Sequence, residues 1–535
     1  MEQTFLSLLY PDEATLRRHE TGEDRPNIGE DVVEELGLSD VFSLKNGSLC
    51  DFFTGDPEVI RYRQATLRDM EAEPALAETL GEVLPILFDI RELRALDRDL
   101  GTSTGDSYLY SITEIELYIS AVDALSRGLS PVRERLKSPA FRTLSDVIFR
   151  LAESDYFRDL NAKLSELSRR VHEVRSITVG VNLDAQLRPC DAGVLSVNAE
   201  SFKSGKVLDK ILRMSFRNDA FTCIAPLAPF GKGQSDNRRE AMMSAFTMAI
   251  EEVFRSSVRQ WRSIVGEYVL DNTDFLLKIL PEIEFVTRAV ELSRTLRGRG
   301  YPLVEPTLCP AEEKAFSARG LYNPAVALKI DDEVVANDLE FDDEGRIFVL
   351  SGPNRGGKSV ITCAVGLAQA MAQLGLCVPA EALSLSPVDG IFTHFPTGAD
   401  DTIDKGRLGE ECARLREIFD AITEDSLVLL DESLSSTGAY EASYIAAELI
   451  AGFAVARCRG IFSTHLHELA AKMEEINQKA AEKGGVKVDT LVAGIEEGRR
   501  SFRIVRQKPD GKSYAKDIAN KYGLSFEELT AAKKR

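Results

Sequence analysis

Apolar residues recur three and four positions apart through much of the first third of the chain, which is the spacing of amphipathic helices. The pattern is clear at Ile112, Ile115 and Ile119. Asp56 followed by Pro57 predicts a helix start, because Asp is a good N-cap and Pro suits the first helical position. We therefore expect long helices over residues 59–70, 76–100, 108–129 and 141–174.

The period changes to two at Ile177, Val179 and Val181, which indicates a strand. Further short strands are expected at 194–197 and 221–224. Between Lys203 and Arg239, eight basic and three acidic side chains give +5. A basic, β-rich insert is a candidate surface for the DNA backbone, and a solvated surface with ordinary charge scatter is an equally weighted alternative. The candidate contacts are Lys203, Lys206, Lys210, Arg213, Arg217 and Lys232.

Helical spacing returns over 239–297, with a break expected at Pro281 and an end at Gly298 and Gly300. From about Glu305 the pattern becomes α/β, with short β-type runs, helices and glycine turns. Helices are expected at 437–453 and 512–534.

A glycine-rich loop joins the apolar run 347–350 to the apolar helical segment 360–374. A strand, a glycine loop, Lys-Ser and a helix form the arrangement of a phosphate-binding loop, in which backbone N–H groups and the positive helix end face the anion. Lys358 would reach the β and γ phosphates, and the Ser359 hydroxyl would ligate Mg²⁺. The predicted nucleotide contacts are Gly352, Pro353, Asn354, Arg355, Gly356, Gly357, Lys358 and Ser359.

A second apolar run, 427–430, ends in two acids, as a Walker B strand does. Asp431 would hold Mg²⁺, directly or through water, and Glu432 would polarise the attacking water. The next β-type run ends at His465, which is placed to contact the γ-phosphate and report its loss. A lone histidine is more often a core-edge residue, but the order of these motifs favours an ABC-type ATPase.

Composition limits the class of protein. The chain has 535 residues, 44% of them hydrophobic, and a formal charge of −21. Bulk charge therefore argues against a chain that coats nucleic acid, while a local basic surface stays possible. Eight scattered cysteines without a CxxC pair favour reduced thiols in a cytoplasmic protein. No signal peptide and no uninterrupted apolar run of membrane-spanning length is evident, so no membrane partner is expected.

Several motifs, in order, resemble the ATPase domain of the MutS family. They are GPNRGGKS at 352–359, CVPAE at 377–381, IFTHFPTGADD at 391–401, LVLLDE at 427–432 and STHLHEL at 463–469. VANDLEF at 335–341 is similar to the family's nucleotide loop, residues 508–525 to its C-terminal helical element, and residues 177–198 to a β-containing segment of MutS-related proteins. The resemblance is specific across about 320–525 and looser over the helical first half.

The resemblance implies a multidomain protein in which a long-helix core/lever domain with a small β-rich insert precedes an α/β P-loop ATPase domain of ABC type. The expected segments are a helical core/lever domain at 1–175, a clamp-like insert at 176–238, returning lever helices at 239–304, the ATPase domain at 305–507 and a helical element at 508–535. It also implies ATP and Mg²⁺ as cofactors, with Val334 and Asn337 of the nucleotide loop among the ATP contacts. Two copies would pair as a homodimer around DNA, each nucleotide lying between one copy's phosphate loop and the other's signature region.

The chain departs from the family pattern in three places. It begins at the core domain, so no mismatch-reading N-terminal domain is expected. The signature region reads Gly406-Arg407-Leu408-Gly409 where the family usually has Gly-Arg-Ser-Thr, and Leu408 cannot donate a hydrogen bond. Val334 stands where the family has an aromatic that stacks on adenine, so contact with the base would rest on apolar packing.

Two functions of different classes remain open. The first is an ATP-dependent DNA-binding protein that controls a DNA clamp, whether in mismatch repair or, more naturally for a form without the reader domain, on branched DNA and recombination intermediates. The second is an ATP-gated scaffold for a protein partner, with weak or no DNA binding, which the acidity of the chain and the altered signature favour. A transporter subunit is disfavoured, because the long helical first half has no place in one.

Overall fold

The computed structural model describes residues 5–99, 106–172, 176–186, 189–198, 225–227, 274–395, 407–496, 499–508 and 529. Its contacts divide the chain into two compact units. The sheet unit comprises Met1–Ala72, Lys137–Phe141 and Glu284–Arg535. The helical unit comprises Glu73–Leu136 and Arg142–Ile283.

The helices and strands follow one another with these bounds. The helices are α1 (Glu13–Glu20), α2 (Glu30–Leu36), α3 (Leu38–Val41), α4 (Pro57–Ala72), α5 (Pro74–Asp99), α6 (Asp106–Leu129), α7 (Pro139–Ala152), α8 (Asp155–His172), α9 (Asp274–Lys278), α10 (Leu280–Gly298), α11 (Pro324–Lys329), α12 (Lys358–Gln373), α13 (Arg407–Ala421), α14 (Ala439–Ala456), α15 (His467–Ala471) and α16 (Met473–Glu482). The strands are β1 (Ser176–Leu183), β2 (Pro189–Asn198), β3 (Ala225–Leu227), β4 (Thr307–Leu308), β5 (Phe316–Leu321), β6 (Asn337–Phe341), β7 (Ile347–Ser351), β8 (Ala382–Leu385), β9 (Ile391–His394), β10 (Leu427–Asp431), β11 (Arg459–Ser463), β12 (Val488–Glu496) and β13 (Arg499–Arg506).

The helical unit is built on the packing of α5 against α6. The two helices approach so closely that a Cβ added at Gly128 would lie 2.0 Å from the Thr79 hydroxyl oxygen. At the other end of α5, Arg94 donates to Glu114 at 2.7 Å and to Asp274 at 2.6 Å. This arginine therefore ties α5 to α6 and to α9.

Most of the predicted helices and the strand at Ile177 are present, but one predicted helix is two. The expected helix over 141–174 breaks into α7 and α8 at Ser154. The Ser154 hydroxyl accepts the backbone N–H of Phe157 at 3.1 Å, so a new N-terminus is more stable there than a continuous helix. In the β-rich insert β2 pairs antiparallel with both β1 and β3. The expected strand at 221–224, the six candidate DNA contacts and, apart from Leu529, the expected helix over 512–534 lie outside the described residues.

Two sheets form the core of the sheet unit. The larger has the order β13-β12-β7-β11-β10-β9, in which all neighbours are parallel except the pair β12–β13. The smaller has the order β4-β8-β5-β6. Strands β7, β10 and β11 are buried along their whole length, as expected for parallel strands covered on both faces.

Among the described residues, one helix, α14, is long and apolar enough to cross a membrane by length and composition alone. Ala442, Ala446 and Ile450 of this helix belong to the hydrophobic core cluster that also contains Val349 and Phe462 of the larger sheet. The helix thus buries its small apolar residues against that sheet.

The N-terminal residues form part of the sheet unit. The backbone of Asn27 bonds to Asp389 and Ile391, at 2.7 and 3.1 Å, beside the edge strand β9. Leu36 of α2 is 2% exposed and packs so tightly on α12 that a Cβ added at Gly366 would meet its Cδ2 at 2.5 Å. The boundaries of the predicted segments stay a prediction. The observed units group residues 1–72 with the larger sheet, whereas the prediction placed them with the long helices.

We expect Leu36→Ala to lower the free energy of unfolding of the sheet unit by about 2–4 kcal/mol, because it removes buried methyl groups and leaves a cavity over Gly366. Urea denaturation followed by circular dichroism measures the change. Val455→Ala, which truncates an exposed side chain of α14, is the matched control. A loss no larger than that of the control would contradict the packing role assigned to α2.

Candidate nucleotide site

The pairing of the parallel strands brings the predicted chemistry to one edge of the larger sheet. Leu350 lies opposite Ser463, Ser463 opposite Asp431, and Leu430 opposite His394. The carboxyl ends of β7, β11, β10 and β9 are therefore level. Ligands of parallel α/β sheets bind outside these ends.

The loop between β7 and α12 has the backbone that its glycines allow. Gly352 has φ of 142°, and a Cβ there would lie 2.7 Å from the Cβ of Ala493. Gly357 has φ of 93° and is the N-cap of α12. Arg355 also takes a left-handed conformation, with φ of 60°. The loop thus wraps the N-terminus of α12, whose free N–H groups are suited to bind an anion.

Lys358 is held inside this loop. Its ammonium group donates to the carbonyl oxygens of Gly352 and Pro353, each at 3.2 Å, and the residue is 3% exposed. Burial holds the pKa of Lys358 below its usual value, although the nearby carboxylates of Glu432 and Asp431 act in the opposite direction. The ammonium therefore lies beside both the loop and the two acids of β10.

Asp431 and Glu432 occupy the end of β10. Asp431 is 5% exposed, and its Oδ1 has no hydrogen-bond partner among the described residues. Glu432 has φ of 47°, and its N–H donates to the Ser463 carbonyl at 2.8 Å. Its Oε1 lies 3.3 Å from Nδ1 of His465. The Glu432 carboxylate thus lies close to the histidine that follows the neighbouring strand β11.

These donors fit a magnesium ion. Mg²⁺ binds hard oxygen ligands and is usually held by one or two side chains together with phosphates. Asp431 offers an orphaned carboxylate oxygen next to Glu432, and Ser359 lies beside Lys358 in the cleft that Glu432 also lines. An ion held there would neutralise phosphate charge.

A cleft of about 480 Å³ opens beside the glycine loop, and this volume lies within the usual size range of ligand pockets. Ser359, Lys358 and Glu432 line its polar part. Tyr322, Val326, Ile330, Val334, Val335 and Phe502 supply apolar surface. The cleft therefore combines an anion-binding end with an apolar wall suited to a planar ring.

Phe502 was not predicted from the sequence. It is 46% exposed in the cleft and has φ of 55°, a strained conformation for a bulky residue. Asn337 holds the backbone that follows it, donating to the Phe502 carbonyl at 3.2 Å and accepting the Ile504 N–H at 2.7 Å. No local motif marks this phenylalanine, because its place depends on the antiparallel pairing of β13 with β12.

The structure brings together some of the residues that the sequence predicted for the nucleotide site. The loop residues Arg355, Gly357, Lys358 and Ser359 line the cleft together with Val334, Asn337 and Glu432. Asp431 and His465 lie beside Glu432. Asn337 was predicted as an ATP contact. Its side-chain hydrogen bonds go to backbone groups of Val335, Phe502 and Ile504, and its contact with ATP stays a prediction.

In the signature region, Gly406 lies outside the described residues, and α13 begins at Arg407. Leu408 is half-buried and packs against the hydrophobic core cluster. Glu411 accepts a hydrogen bond from the Ser436 hydroxyl at 3.0 Å. Leu408 is thus used for packing.

The level strand ends, the glycine loop and the N-terminus of α12 define a P-loop α/β fold. The family model described as MutS domain V matches residues 348–534, and the model described as MutS2 N-terminal domain matches residues 55–299. The chain belongs to the MutS family.

Similar proteins with curated names belong to the same family. The chain is 34% identical over 197 residues to DNA mismatch repair protein MutS 1 of Haloarcula marismortui, covering 36% of this chain and 21% of that protein. It is 29% identical over 260 residues to DNA mismatch repair protein MutS of Clostridium kluyveri, covering 48% of this chain and 28% of that protein. For the protein of the same name from Staphylococcus epidermidis the identity is 30% over 196 residues, with 36% and 22% covered. The matched region thus spans between a fifth and a third of the length of these relatives.

The geometry predicts separate effects at the two ends of the cleft. We expect Phe502→Ala to weaken ATP binding by about tenfold, because stacking of a base on an aromatic ring is worth about 1–3 kcal/mol. Inorganic tripolyphosphate has no base, so its affinity should be unchanged. Lys358→Ala should weaken both ligands. Isothermal titration with Mg²⁺ measures the affinities, and equal losses of both ligands in Phe502→Ala would contradict the assignment of the apolar end to the base.

Proposed function

We propose that the chain is an ATPase of the MutS family that binds ATP with Mg²⁺ at the cleft beside Lys358 and uses it to control binding to DNA. The observation that carries the proposal is the meeting of the phosphate loop, Asp431, Glu432 and His465 at the level ends of adjacent parallel strands in a chain that contains MutS domain V.

Each residue has a role that its position supports. The loop and the N-terminus of α12 bind the phosphates, with Lys358 as the central cation. Asp431 and Ser359 hold Mg²⁺, which offsets the charge that develops on the phosphates. Glu432 orients the attacking water and accepts its proton. His465 follows the end of β11 and lies 3.3 Å from the Glu432 carboxylate, where it can respond to the γ-phosphate.

We expect Glu432→Gln to leave ATP affinity nearly unchanged and to slow hydrolysis by about 100-fold or more, because an amide orients water poorly and accepts no proton. Equilibrium binding and single-turnover release of phosphate measure the two effects. Glu468→Gln, a change at an exposed acid three residues beyond His465, is the matched control. Hydrolysis at the wild-type rate in Glu432→Gln would show that another group is the base.

We further propose that two copies form a dimer and that the bound nucleotide determines how tightly this dimer binds DNA, in mismatch repair or on branched recombination intermediates. The similarity to proteins named for DNA mismatch repair supports this role. The excess of +5 between Lys203 and Arg239 supports a local phosphate-contacting surface in an acidic chain.

ATP should change the affinity for DNA by at least about fivefold, a typical coupling between two sites. Fluorescence anisotropy on linear, mismatched and junction DNA, with and without ATP at stated salt, measures it. Lys358→Ala should bind DNA without responding to ATP. Sedimentation of the same samples gives the number of copies in each complex.

An ATP-gated protein scaffold is the second candidate. The net charge of −21 and the packing of Leu408 into the core favour it, because neither feature assists DNA binding or contact with a partner's phosphate. No DNA affinity at low salt, together with a protein partner that binds only with ATP, would select this function over the first.

A further inference from the structure

A largely buried carboxylate of the N-terminal segment lies at one end of a series of contacts that leads to Glu432. Glu35, in the last turn of α2, has a side chain that is 11% exposed. It accepts the backbone N–H of Phe395 at 3.3 Å on one oxygen, and Arg414 of α13 donates to the other. One carboxylate thus joins three elements: α2, the end of β9 and α13.

The contact with Phe395 is connected to the end of β10 through His394, the residue before Phe395. His394 is 6% exposed, and its Nδ1 lies 2.8 Å from the Ser433 hydroxyl oxygen. That hydroxyl also donates to the His394 carbonyl at 3.3 Å. Burial and the Arg414 charge both lower the pKa of His394, which favours a neutral ring in this hydrogen bond. The end of β9 is therefore fastened to the residue that follows Glu432.

The contact with Arg414 bears on the same loop from its other side. Arg414 lies one turn after Glu411 on α13, and Glu411 accepts the Ser436 hydroxyl at 3.0 Å. Residues 433–436 are thus held by His394 at their start and by Glu411 at their end. Both of these residues lie on elements that Glu35 joins.

Glu432 is sensitive to such fastening. Its φ of 47° is unfavourable for a non-glycine residue and persists only where the surroundings enforce it. On one side its N–H is bonded to Ser463, and on the other Ser433 is bonded to His394. Release of the Ser433 contact would let the backbone relax and would swing the Glu432 carboxylate away from His465.

We propose that Glu35 is a positioning residue for ATP hydrolysis, through which the N-terminal segment sets the orientation of Glu432. The inference rests on the proposed ATPase function. Glu35 lies outside the residues that either family model matches, 55–299 and 348–534. The contacts of Glu35 therefore lie outside what these domain models describe.

Glu35→Ala tests the proposal. We expect single-turnover hydrolysis to fall by about tenfold with ATP affinity within about twofold, because misplacement of a catalytic group affects the chemical step and spares binding. Glu35→Gln keeps an acceptor for Phe395 and should lose less. Glu34→Ala changes an exposed acid on the same helix and is the matched control.

Ser433→Ala removes the hydrogen bond at the other end of this series of contacts and leaves α2 unchanged. It therefore tests the proposal even if Glu35→Ala does not fold. The double variant should be no slower than the slower single variant, since both changes release the same loop. Three results would overturn the inference alone. They are a double variant whose loss of rate is the product of the two single losses, equal losses of ATP affinity and hydrolysis rate in Glu35→Ala, and hydrolysis at the wild-type rate in Glu35→Ala. ATP binding without hydrolysis in the wild-type protein would overturn the proposed function and the inference with it.

Discussion

The in-register pairing of the parallel strands β7, β11, β10 and β9 is the constraint on which the site depends. Each backbone hydrogen bond between neighbours fixes their offset, so the ends of four strands that are distant in sequence become level. A slip of one residue would turn Asp431 to the opposite face of the sheet. The burial of β7, β10 and β11 along their whole length makes such a slip unfavourable and therefore stabilises the site.

The helix α12, which follows the glycine loop, is fixed at its far end by buried polar contacts. The Gln373 amide donates to the carbonyls of Thr54 and Val388 and accepts the Val388 N–H, at 2.9–3.2 Å. Arg63 of α4, fully buried, donates to the Leu374 carbonyl at 3.4 Å. Buried polar groups need partners, so these contacts favour one position of the helix. The N-terminal segment thus holds both α12 and, through Glu35, the loop after β10.

Local patterns predicted much of the fold. The glycine loop, the two acids of β10 and the histidine after β11 all lie where short-range spacing indicated strand ends. The start of α4 at Pro57 also agrees, with Asp56 accepting the Glu58 N–H at 2.8 Å. The division at Ser154 was missed, because continuous apolar spacing does not reveal that a hydroxyl competes for the helix N-terminus. The reach of Glu35 to Arg414 spans 379 residues and leaves no periodic signal.

The sequence by itself determined which chemical groups are present and the local elements that carry them: a phosphate loop, an acid pair, a histidine, and the helices and strands between. Those features follow from backbone preferences and residue spacing, which act over a few residues. Only the tertiary structure decided that residues 1–72 pack with the larger sheet, that Phe502 lines the cleft in a strained conformation and that Glu35 is linked to Glu432. The reason is physical, since strand order, register and buried polar pairing are properties of contacts between distant parts of the chain.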